Sequence, residues 1–325
     1  MTKQSNYGCP YPECRKAPLV QEAHGLLCPN EHRFPYAPGT NIPIFAKAPE
    51  DSSEYSIQNA ATVHDNSLRW LFATFGEDEN ALRERLASRL RLQPGQKLLV
   101  TGVGAGNDLP FLARTLQGAG EIYALDIAQP MLLAAAERHG AALRRDGVGV
   151  EFSVGDATEL PFPDNFFDAA FHFGGINLFP DIRRGVAEMA RVVRTGGRVV
   201  FGDEGVAPWL RETVYGKMLV QNNPLYACDV PLSSLPESAR EVQVSWELGN
   251  CFYVIDFTVG QGPFQIDIDV PHVGLRGGSI RSRYFGQLEG VAPDLRDQIY
   301  AEAQRQGISR VALLERLLRN GLNER

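Results

Sequence analysis

A glycine-rich turn between two apolar segments constrains the fold of this chain more than any other feature. Residues 97–101 have the pattern of a buried strand, and residues 121–125 form a second apolar strand that ends at Asp126. Three glycines at alternate positions follow the first strand, namely Gly102, Gly104 and Gly106. Glycine lets the backbone turn sharply and approach a ligand closely, and the helix that follows begins with unpaired amide donors. An acid at the tip of the second strand can accept both hydroxyls of a ribose. The pattern therefore predicts a nucleoside-binding βαβ unit.

The spacing of the glycines indicates which nucleoside is bound. In dinucleotide-binding turns the pattern is Gly-x-Gly-x-x-Gly, but here Gly106 comes one residue early and Asn107 stands at the usual third position. The Gly-x-Gly-x-Gly form resembles that of class I S-adenosylmethionine methyltransferases, whose cofactor has no phosphate. The resemblance implies that the cofactor is S-adenosylmethionine. It assigns cofactor contacts around this turn to Thr101, Gly102, Gly104, Gly106, Asn107, Asp126, Ile127 and Met131.

Further motifs follow in the order that this family shows. A third apolar strand, 150–154, leads into Gly155-Asp156-Ala157, and Leu-Pro-Phe, Phe-Asp and Gly-Gly follow at 160–162, 167–168 and 196–197. Over about residues 95–205 the chain resembles the branch with ubiquinone/menaquinone-type and many natural-product methyltransferases. The resemblance implies that Asp156 receives the adenine amino group and that the amide of Ala157 meets the ring. It also implies a doubly wound α/β fold with a mostly parallel, seven-stranded, Rossmann-like sheet.

One position departs from the family pattern. Family members usually carry an acid two residues before the first glycine, where it helps to hold the methionyl end of the cofactor, and this chain has Val100 there. Thr101, Asn107 and Asp108 are nearby polar candidates for that role. The two helices that precede the first strand cap the cofactor in this fold, which adds Tyr55, His64 and Asp65 as candidate pocket residues. A protein that binds the cofactor without catalysing transfer is an alternative from a different functional class.

The N-terminal segment carries two pairs of soft metal ligands. Cys9 and Cys14 are separated by four residues, and Cys28 and His32 by three. Tetrahedral structural zinc needs paired thiolate and imidazole donors at such spacings, and a short Pro-rich segment needs a metal to fold. Residues 28–34 resemble the zinc ribbon that precedes the catalytic domain in ribosomal-RNA guanine methyltransferases, where the first pair is usually Cys-x2-Cys. We expect a structural zinc ion; free cysteines in a poorly ordered arm are the alternative.

Candidate catalytic groups lie where the strands end. Methyl transfer from a sulfonium is an in-line displacement, so the enzyme mainly aligns the acceptor and excludes water. A general base is needed only when the acceptor holds a proton of high pKa. His172 ends the fourth strand, and Asp203 and Glu204 end the fifth, at the edge where a doubly wound sheet binds ligands. The resemblance also allows His172 to contact the cofactor, and His64 is a further candidate base.

Charge and composition favour a small acceptor. The chain has 325 residues and a formal net charge of −7, whereas a phosphate-binding surface is normally basic. A small-molecule substrate is therefore expected. A ribosomal or transfer RNA base methyltransferase, suggested by the ribbon and an arginine-rich tail, is the alternative. No run of 18 apolar residues and no apolar N-terminal signal is present, so we expect no membrane span and a cytoplasmic location.

The organisation along the chain follows from these patterns. We predict a zinc ribbon at 1–46, a linker and leading helices at 47–95, a methyltransferase domain at 96–270 with an insert at 205–241, and a helical extension at 271–325. Residues 209–220, in the insert, and residues 308–322, in the extension, have helical patterns, and residues 264–270 have a strand pattern. The amphipathic helix at 308–322 has an apolar face for the body of the protein or for a second copy, so a homodimer is one option.

Overall fold

The computed structural model describes residues 4–14, 16–46, 55, 57, 59–274, 277–285 and 292–323. The chain forms two compact units, Met1–Pro263 and Phe264–Arg325. The linker predicted at 47–54 lies outside the described residues.

The first unit begins with a four-stranded antiparallel sheet in the order β1-β2-β3-β4. Its strands are β1 (Gln4–Gly8), β2 (Pro18–Glu22), β3 (Gly25–Leu27) and β4 (Arg33–Pro35). Cys9 directly follows β1 and Cys14 ends a single 3-10 turn, while Cys28 and His32 lie at the two ends of the turn between β3 and β4. The two turns thus bring the four predicted ligands to one end of this N-terminal sheet.

A seven-stranded sheet forms the centre of the first unit, in the order β10-β11-β9-β8-β5-β6-β7. Its strands are β5 (Lys97–Thr101), β6 (Glu121–Asp126), β7 (Gly149–Val154), β8 (Phe167–Phe173), β9 (Val193–Glu204), β10 (Ala239–Glu247) and β11 (Phe252–Val259). Strands β5 to β9 are parallel, and β10 and β11 add an antiparallel hairpin at one edge. The strand order reverses at β5, where a crevice opens beyond the carboxyl ends of β5 and β8. The predicted mostly parallel, Rossmann-like sheet is confirmed.

Helices cover both faces of this sheet. They are α1 (Ala60–Phe75), α2 (Glu79–Ser88), α3 (Leu109–Thr115), α4 (Gln129–Arg145), α5 (Ile182–Val192) and α6 (Val214–Asn222). One apolar cluster joins the sheet to α2, α3 and α4, with Leu82, Leu112 and Leu132 almost fully buried. A second cluster joins the opposite face to α5 and also to the N-terminal sheet, through side chains such as Leu19 and Met189. The N-terminal sheet therefore shares a core with the larger sheet.

The second unit contains α7 (Ile280–Phe285), α8 (Pro293–Arg305) and α9 (Arg310–Asn323). Ala303 and Leu313 are buried where α8 and α9 pack on each other. The helical pattern at 308–322 corresponds to α9, whereas the strand predicted at 264–270 is absent and those described residues form irregular backbone. Among the described residues, no helix combines the length and the apolar character that a membrane span requires.

Candidate active site

The glycine turn links the carboxyl ends of β5 and β6. Gly102 and Gly104 have φ angles of 58° and 55°, in the left-handed region that favours glycine. The Gly104 amide donates a hydrogen bond of 2.7 Å to Asp126 Oδ2, and the Ala128 amide donates one of 2.8 Å to Asp126 Oδ1. The carboxylate of Asp126 therefore fixes the turn against the strand beside it.

This arrangement fits the ribose of a nucleoside cofactor. Each Asp126 oxygen accepts one amide and keeps a further lone pair, so the pair can still accept two hydroxyls. Burial raises the pKa of Asp126, and the amides of Ala128 and Gly104 partly offset that rise because they favour the charged form. A Cβ on Gly104 would meet only Met131 Cε, at 3.7 Å, so the turn leaves space there for a ligand.

The start of α3 does not suit a phosphate. Asp108 occupies the N-cap position, and the guanidinium of the buried Arg83 forms an ion pair with it. A pyrophosphate at this helix end would meet the carboxylate of Asp108, and the two negative charges would repel each other. The donor set thus agrees with the choice of S-adenosylmethionine over a dinucleotide.

Residues after β7 form the second part of the predicted cofactor site. The Gly155 amide donates to the Asp126 carbonyl over 2.9 Å, so this segment lies beside the residue whose carboxylate can accept the ribose hydroxyls. Asp156 Oδ1 accepts hydrogen bonds from the Thr158 amide and hydroxyl, at 2.7 and 2.8 Å, and Ala157 is buried. Asp156 is held in a fixed rotamer at the position where the family resemblance expects the adenine.

His172 lies directly beneath the glycine turn. Its ring is 1% exposed, and its Nδ1 lies 3.1 Å from the hydroxyl of Thr101. Its Nε2 is buried and has no hydrogen-bond partner among the described residues. Burial lowers the pKa of His172 to about 4, against an opposing effect of Asp203, so the imidazole is neutral at pH 7. A group with that pKa is a poor proton acceptor at neutral pH, which favours the predicted cofactor contact over the predicted role as a base.

The turn also receives a carboxylate from α1. Asn107 Nδ2 donates to Asp65 Oδ1 over 3.3 Å, and the guanidinium of Arg138 on α4 lies 2.9 Å from Asp65 Oδ2. The candidate pocket residue Asp65 thus reaches the glycine turn, while Val100 is buried within β5. His139 on α4 also packs against the glycine turn, although the sequence pattern does not single it out. A Cβ on Gly106 would lie 2.7 Å from His139 Cδ2. His139 follows Ala135 by one helical turn, so both side chains lie on the same face of α4.

Asp203 and Glu204 end β9 in a buried hydrogen-bond network. Asp203 accepts hydrogen bonds from the amides of Asn177 and Glu204, at 2.6 and 2.9 Å, and Tyr253 donates to the Asn177 side chain. Burial, reinforced by Asp203, raises the pKa of Glu204 to about 9. At neutral pH Glu204 therefore carries a proton and is a hydrogen-bond donor, while Asp203 organises the loop after β8.

We expect the raised pKa of Glu204 to appear in the pH dependence of stability. Below pH 4.5 the side chain is protonated in both states, but between pH 4.5 and 9 only the unfolded state releases the proton. The contribution of Glu204 to the free energy of unfolding then falls as pH rises, by on the order of 1.4 kcal/mol per unit for one proton. The lowered pKa of His172 acts in the opposite direction between about pH 4 and 6.5, so we expect the net fall above that range. Urea unfolding of Glu204→Gln should lack this fall. The exposed Glu237→Gln should follow the wild type, and parallel curves for all three proteins would contradict the assignment.

The four predicted metal ligands lie together at the end of the N-terminal sheet. The ligand atoms of Cys9, Cys14, Cys28 and His32 all lie within 4.8 Å of one another. Cys14 Sγ is 3.2 Å from His32 Nδ1 and 3.6 Å from Cys28 Sγ. A tetrahedron with 2.3 Å metal–sulfur bonds has an edge of about 3.8 Å, so the spacing fits one zinc ion. Asn30 donates from its amides to Cys14 Sγ and Cys28 Sγ, as groups around metal thiolates do.

Comparison with known proteins agrees with this geometry. Residues 99–201 match the family model described as a methyltransferase domain. Over these residues the chain is similar to methyltransferase domains. The match and the names of the relatives agree with the predicted enzyme class, an S-adenosylmethionine-dependent methyltransferase, which is taken up as a proposal below. The zinc ion and the roles of the individual site residues remain proposals.

The relatives are bacterial enzymes. Demethylmenaquinone methyltransferase of Corynebacterium glutamicum (strain R) is 36% identical over 51% of this chain and 65% of that protein. The Geobacillus kaustophilus enzyme of the same name is 27% identical over 69% and 93%, respectively. The 27-O-demethylrifamycin SV methyltransferase of Amycolatopsis mediterranei is 31% identical over 52% and 65%. The chain thus spans just under two thirds of the first and third of these relatives.

A solved structure of a putative S-adenosylmethionine-dependent methyltransferase from Methanococcus maripaludis matches with 19% identity and a TM-score of 0.48. The match covers 67% of this chain and 100% of that one.

Proposed function

We propose that this chain transfers the methyl group of S-adenosylmethionine to an uncharged small molecule. The observation that carries the proposal is the Asp126 carboxylate, held against the Gly104 amide with lone pairs left for a ribose. The names of the relatives, which act on demethylmenaquinone and demethylrifamycin, support an acceptor of this size. The net charge of −7 supports it as well, because a nucleic acid would be repelled.

The cofactor supplies a methyl group already activated on a sulfonium, so the residues of the chain bind and orient. Asp126 accepts the ribose hydroxyls, and Asp156 and the amide of Ala157 hold the adenine. The apolar and backbone surface around them comes from Thr101, Gly102, Gly106, Ile127, Met131 and His172. Asp65 is held by Asn107 and Arg138. Its carboxylate binds the methionyl ammonium, in place of the acid that family members usually carry at the position of Val100.

The acceptor lies beyond β8 and β9 in this proposal. Gly174 and Gly175 have φ angles of 81° and 97°, and no described atom lies within 4 Å of a Cβ added to either. The protonated Glu204 is placed at the end of the neighbouring strand to donate a hydrogen bond to an acceptor oxygen. At pH 7 Glu204 is already protonated and His172 is a weak base. The arrangement therefore favours an acceptor that loses its proton readily, such as a phenol or an enol.

The N-terminal sheet is proposed to be a zinc ribbon, and its metal to be structural. Four protein ligands leave no open coordination position for catalysis. The ribbon limits (1–46), the methyltransferase domain (96–270, with its insert at 205–241) and the C-terminal extension (271–325) are part of this proposal. A homodimer and a nucleic-acid partner stay predictions.

Calorimetric titration with S-adenosylmethionine and S-adenosylhomocysteine is the first test of the function. We expect micromolar binding of both. Methyl transfer should then release S-adenosylhomocysteine when a panel of phenols and hydroquinones is supplied, and not when transcribed ribosomal or transfer RNA is supplied. Absence of binding would refute the cofactor assignment, and turnover with RNA alone would refute the acceptor class. Binding without release from any pool of acceptors would favour a protein that binds the cofactor without catalysis.

The metal site predicts one zinc ion per chain. Mass spectrometry of the purified protein after acid digestion should give a ratio near 1, and Cys14→Ser should lose the metal because three ligands remain. Cys228→Ser is the matched control, since that thiol is partly exposed and lies outside the cluster. A wild type that neither carries nor takes up zinc, or a Cys14→Ser protein that keeps it, would contradict the site.

A further inference from the structure

Residues 43–45 extend the larger sheet at the point where the proposed adenine segment begins. The Val154 amide donates to the Pro43 carbonyl over 2.9 Å, and the Phe45 amide donates to the Val154 carbonyl over 2.8 Å. Ile44 thereby forms a parallel bridge to Val154 at the end of β7. Val154 is followed directly by Gly155 and Asp156, so this bridge lies at the first residue of the segment that holds the adenine.

The far end of the same segment is bound by residues next to the metal ligands. The Gly8 amide, adjacent to Cys9, donates to the Pro161 carbonyl over 2.9 Å. Lys16 Nζ donates to the Leu160 carbonyl over 3.0 Å and lies 3.7 Å from Glu188 Oε2. Glu188 in turn accepts the Leu160 amide over 2.9 Å. The amide and the carbonyl of Leu160 are thus bound by Glu188 and Lys16, and Arg191 Nη2 also donates to that carbonyl over 3.3 Å.

An aromatic contact fills the space between these two attachments. Tyr7 is 5% exposed, and its ring lies 5.0 Å from that of Phe45 and 5.2 Å from that of Phe162. A Cβ on Gly155 would lie 3.7 Å from Phe45 Cβ. The N-terminal sheet, together with residues 43–45 that follow it, therefore contacts residues 154–162 at both ends and through an aromatic cluster between them.

We propose that the N-terminal sheet is a positioning element of the cofactor site, so that zinc and S-adenosylmethionine bind cooperatively. The proposal rests on the function and the metal site proposed above. A short segment built around four metal ligands loses its order when the metal is removed, because binding free energy supplies its folding free energy. The contacts of Gly8 and Lys16 to residues 160–161 are then lost, and Asp156 and Ala157 are no longer held for the adenine.

Thermodynamic linkage makes this proposal testable in both directions. If zinc raises the affinity for the cofactor by some factor, the cofactor must raise the affinity for zinc by the same factor. We expect a factor of about 10, within the usual range for coupled sites. A sheet that merely packs against the larger one, without positioning the segment, gives a factor of 1.

The first measurement uses the full chain loaded with zinc. Competition with a chromogenic chelator gives the zinc affinity with and without saturating S-adenosylhomocysteine, and calorimetry gives the S-adenosylhomocysteine Kd before and after metal removal. We expect zinc affinity about tenfold higher in the presence of S-adenosylhomocysteine. Equal zinc affinities would overturn the proposal. Where the protein stripped by the chelator unfolds, the zinc-loaded variant described next decides instead.

A second measurement isolates the contact from the metal. Lys16→Met keeps all four ligands but removes the hydrogen bonds from Nζ to the carbonyls of Leu160 and Pro10, at 3.0 and 3.4 Å. The variant should keep one zinc ion, raise the Kd for S-adenosylhomocysteine and the KM for S-adenosylmethionine severalfold, and leave kcat unchanged. Lys217→Met is the control, because its ammonium contacts only the exposed Glu212, at 3.0 Å, among the described residues. Equal Kd values for the two variants would overturn the proposal.

The binding of zinc and of S-adenosylhomocysteine by the wild type separates the two proposals. A wild type that binds neither zinc nor S-adenosylhomocysteine refutes the underlying sites, and the coupling with them. A wild type that binds both with independent affinities leaves the function intact and refutes only the positioning role of the N-terminal sheet.

Discussion

Replacement of Asp126 by Asn is expected to weaken S-adenosylhomocysteine binding at least about 100-fold. The carboxylate accepts the amides of Gly104 and Ala128, and in the proposed complex it also accepts the ribose hydroxyls. An Asn side chain has one NH2 group, which would face one of these donors and leave a buried amide unpaired. Hydrogen bonds to a charged group contribute about 1.5–3 kcal/mol each. The loss of two such bonds therefore accounts for an affinity about 100-fold lower. Calorimetry with S-adenosylhomocysteine measures it.

The control for this prediction keeps the same chemical change at a remote position. Asp146 is exposed at the end of α4, and Asp146→Asn should bind as the wild type does. Thermal unfolding of Asp126→Asn shows whether the variant is folded at the temperature of the titration. A folded Asp126→Asn protein whose Kd stays within a factor of about 3 of the wild type would contradict the ribose assignment.

The fold around the cofactor was predictable because its signals are local. Apolar runs bounded by glycine marked β5, β6 and β7, and each observed limit lies within one residue of the predicted one. The limits of β9 were less accessible. The Gly-Gly motif at 196–197 gives no sign of a strand, but β9 begins at Val193, which pairs with Phe167 of β8. The register then shifts, and regular pairing with β8 and β11 resumes at Arg198. The helix predicted at 209–220 begins only at Val214.

The site divides in the same way. Ligand spacing predicted the cluster of Cys9, Cys14, Cys28 and His32, since short turns bring such pairs together. The contact of Lys16 with Leu160 joins residues 144 positions apart, and no local pattern encodes it. The raised pKa of Glu204 likewise depends on burial beside Asp203, which only the packed structure shows. The sequence could name both acids as candidates but could not tell the donor from the acceptor.

The glycine turn provides the second large effect, this time on stability. Gly102→Ala should lower the free energy of unfolding by about 2–4 kcal/mol, because a side chain in the left-handed region and an overpacked core both carry a cost. The new Cβ would lie 2.7 Å from His172 Cε1. The ring cannot withdraw easily, since Thr101 lies at hydrogen-bond distance from Nδ1 and Phe179 packs edge-on at 5.1 Å. Urea unfolding measures the loss.

Gly104→Ala separates backbone strain from collision in the same turn. Its φ of 55° is almost that of Gly102, but a Cβ there meets only Met131 Cε, at 3.7 Å, so its expected cost is about 1 kcal/mol. The His172→Ala background supplies a double-mutant cycle, in which the cost of Gly102→Ala should fall toward that of Gly104→Ala. If Gly102→Ala and Gly104→Ala lower the free energy of unfolding equally in the wild-type background, the His172 ring does not pack closely against the turn. The neutral imidazole would then not be the group that supports the backbone on which the cofactor is proposed to lie.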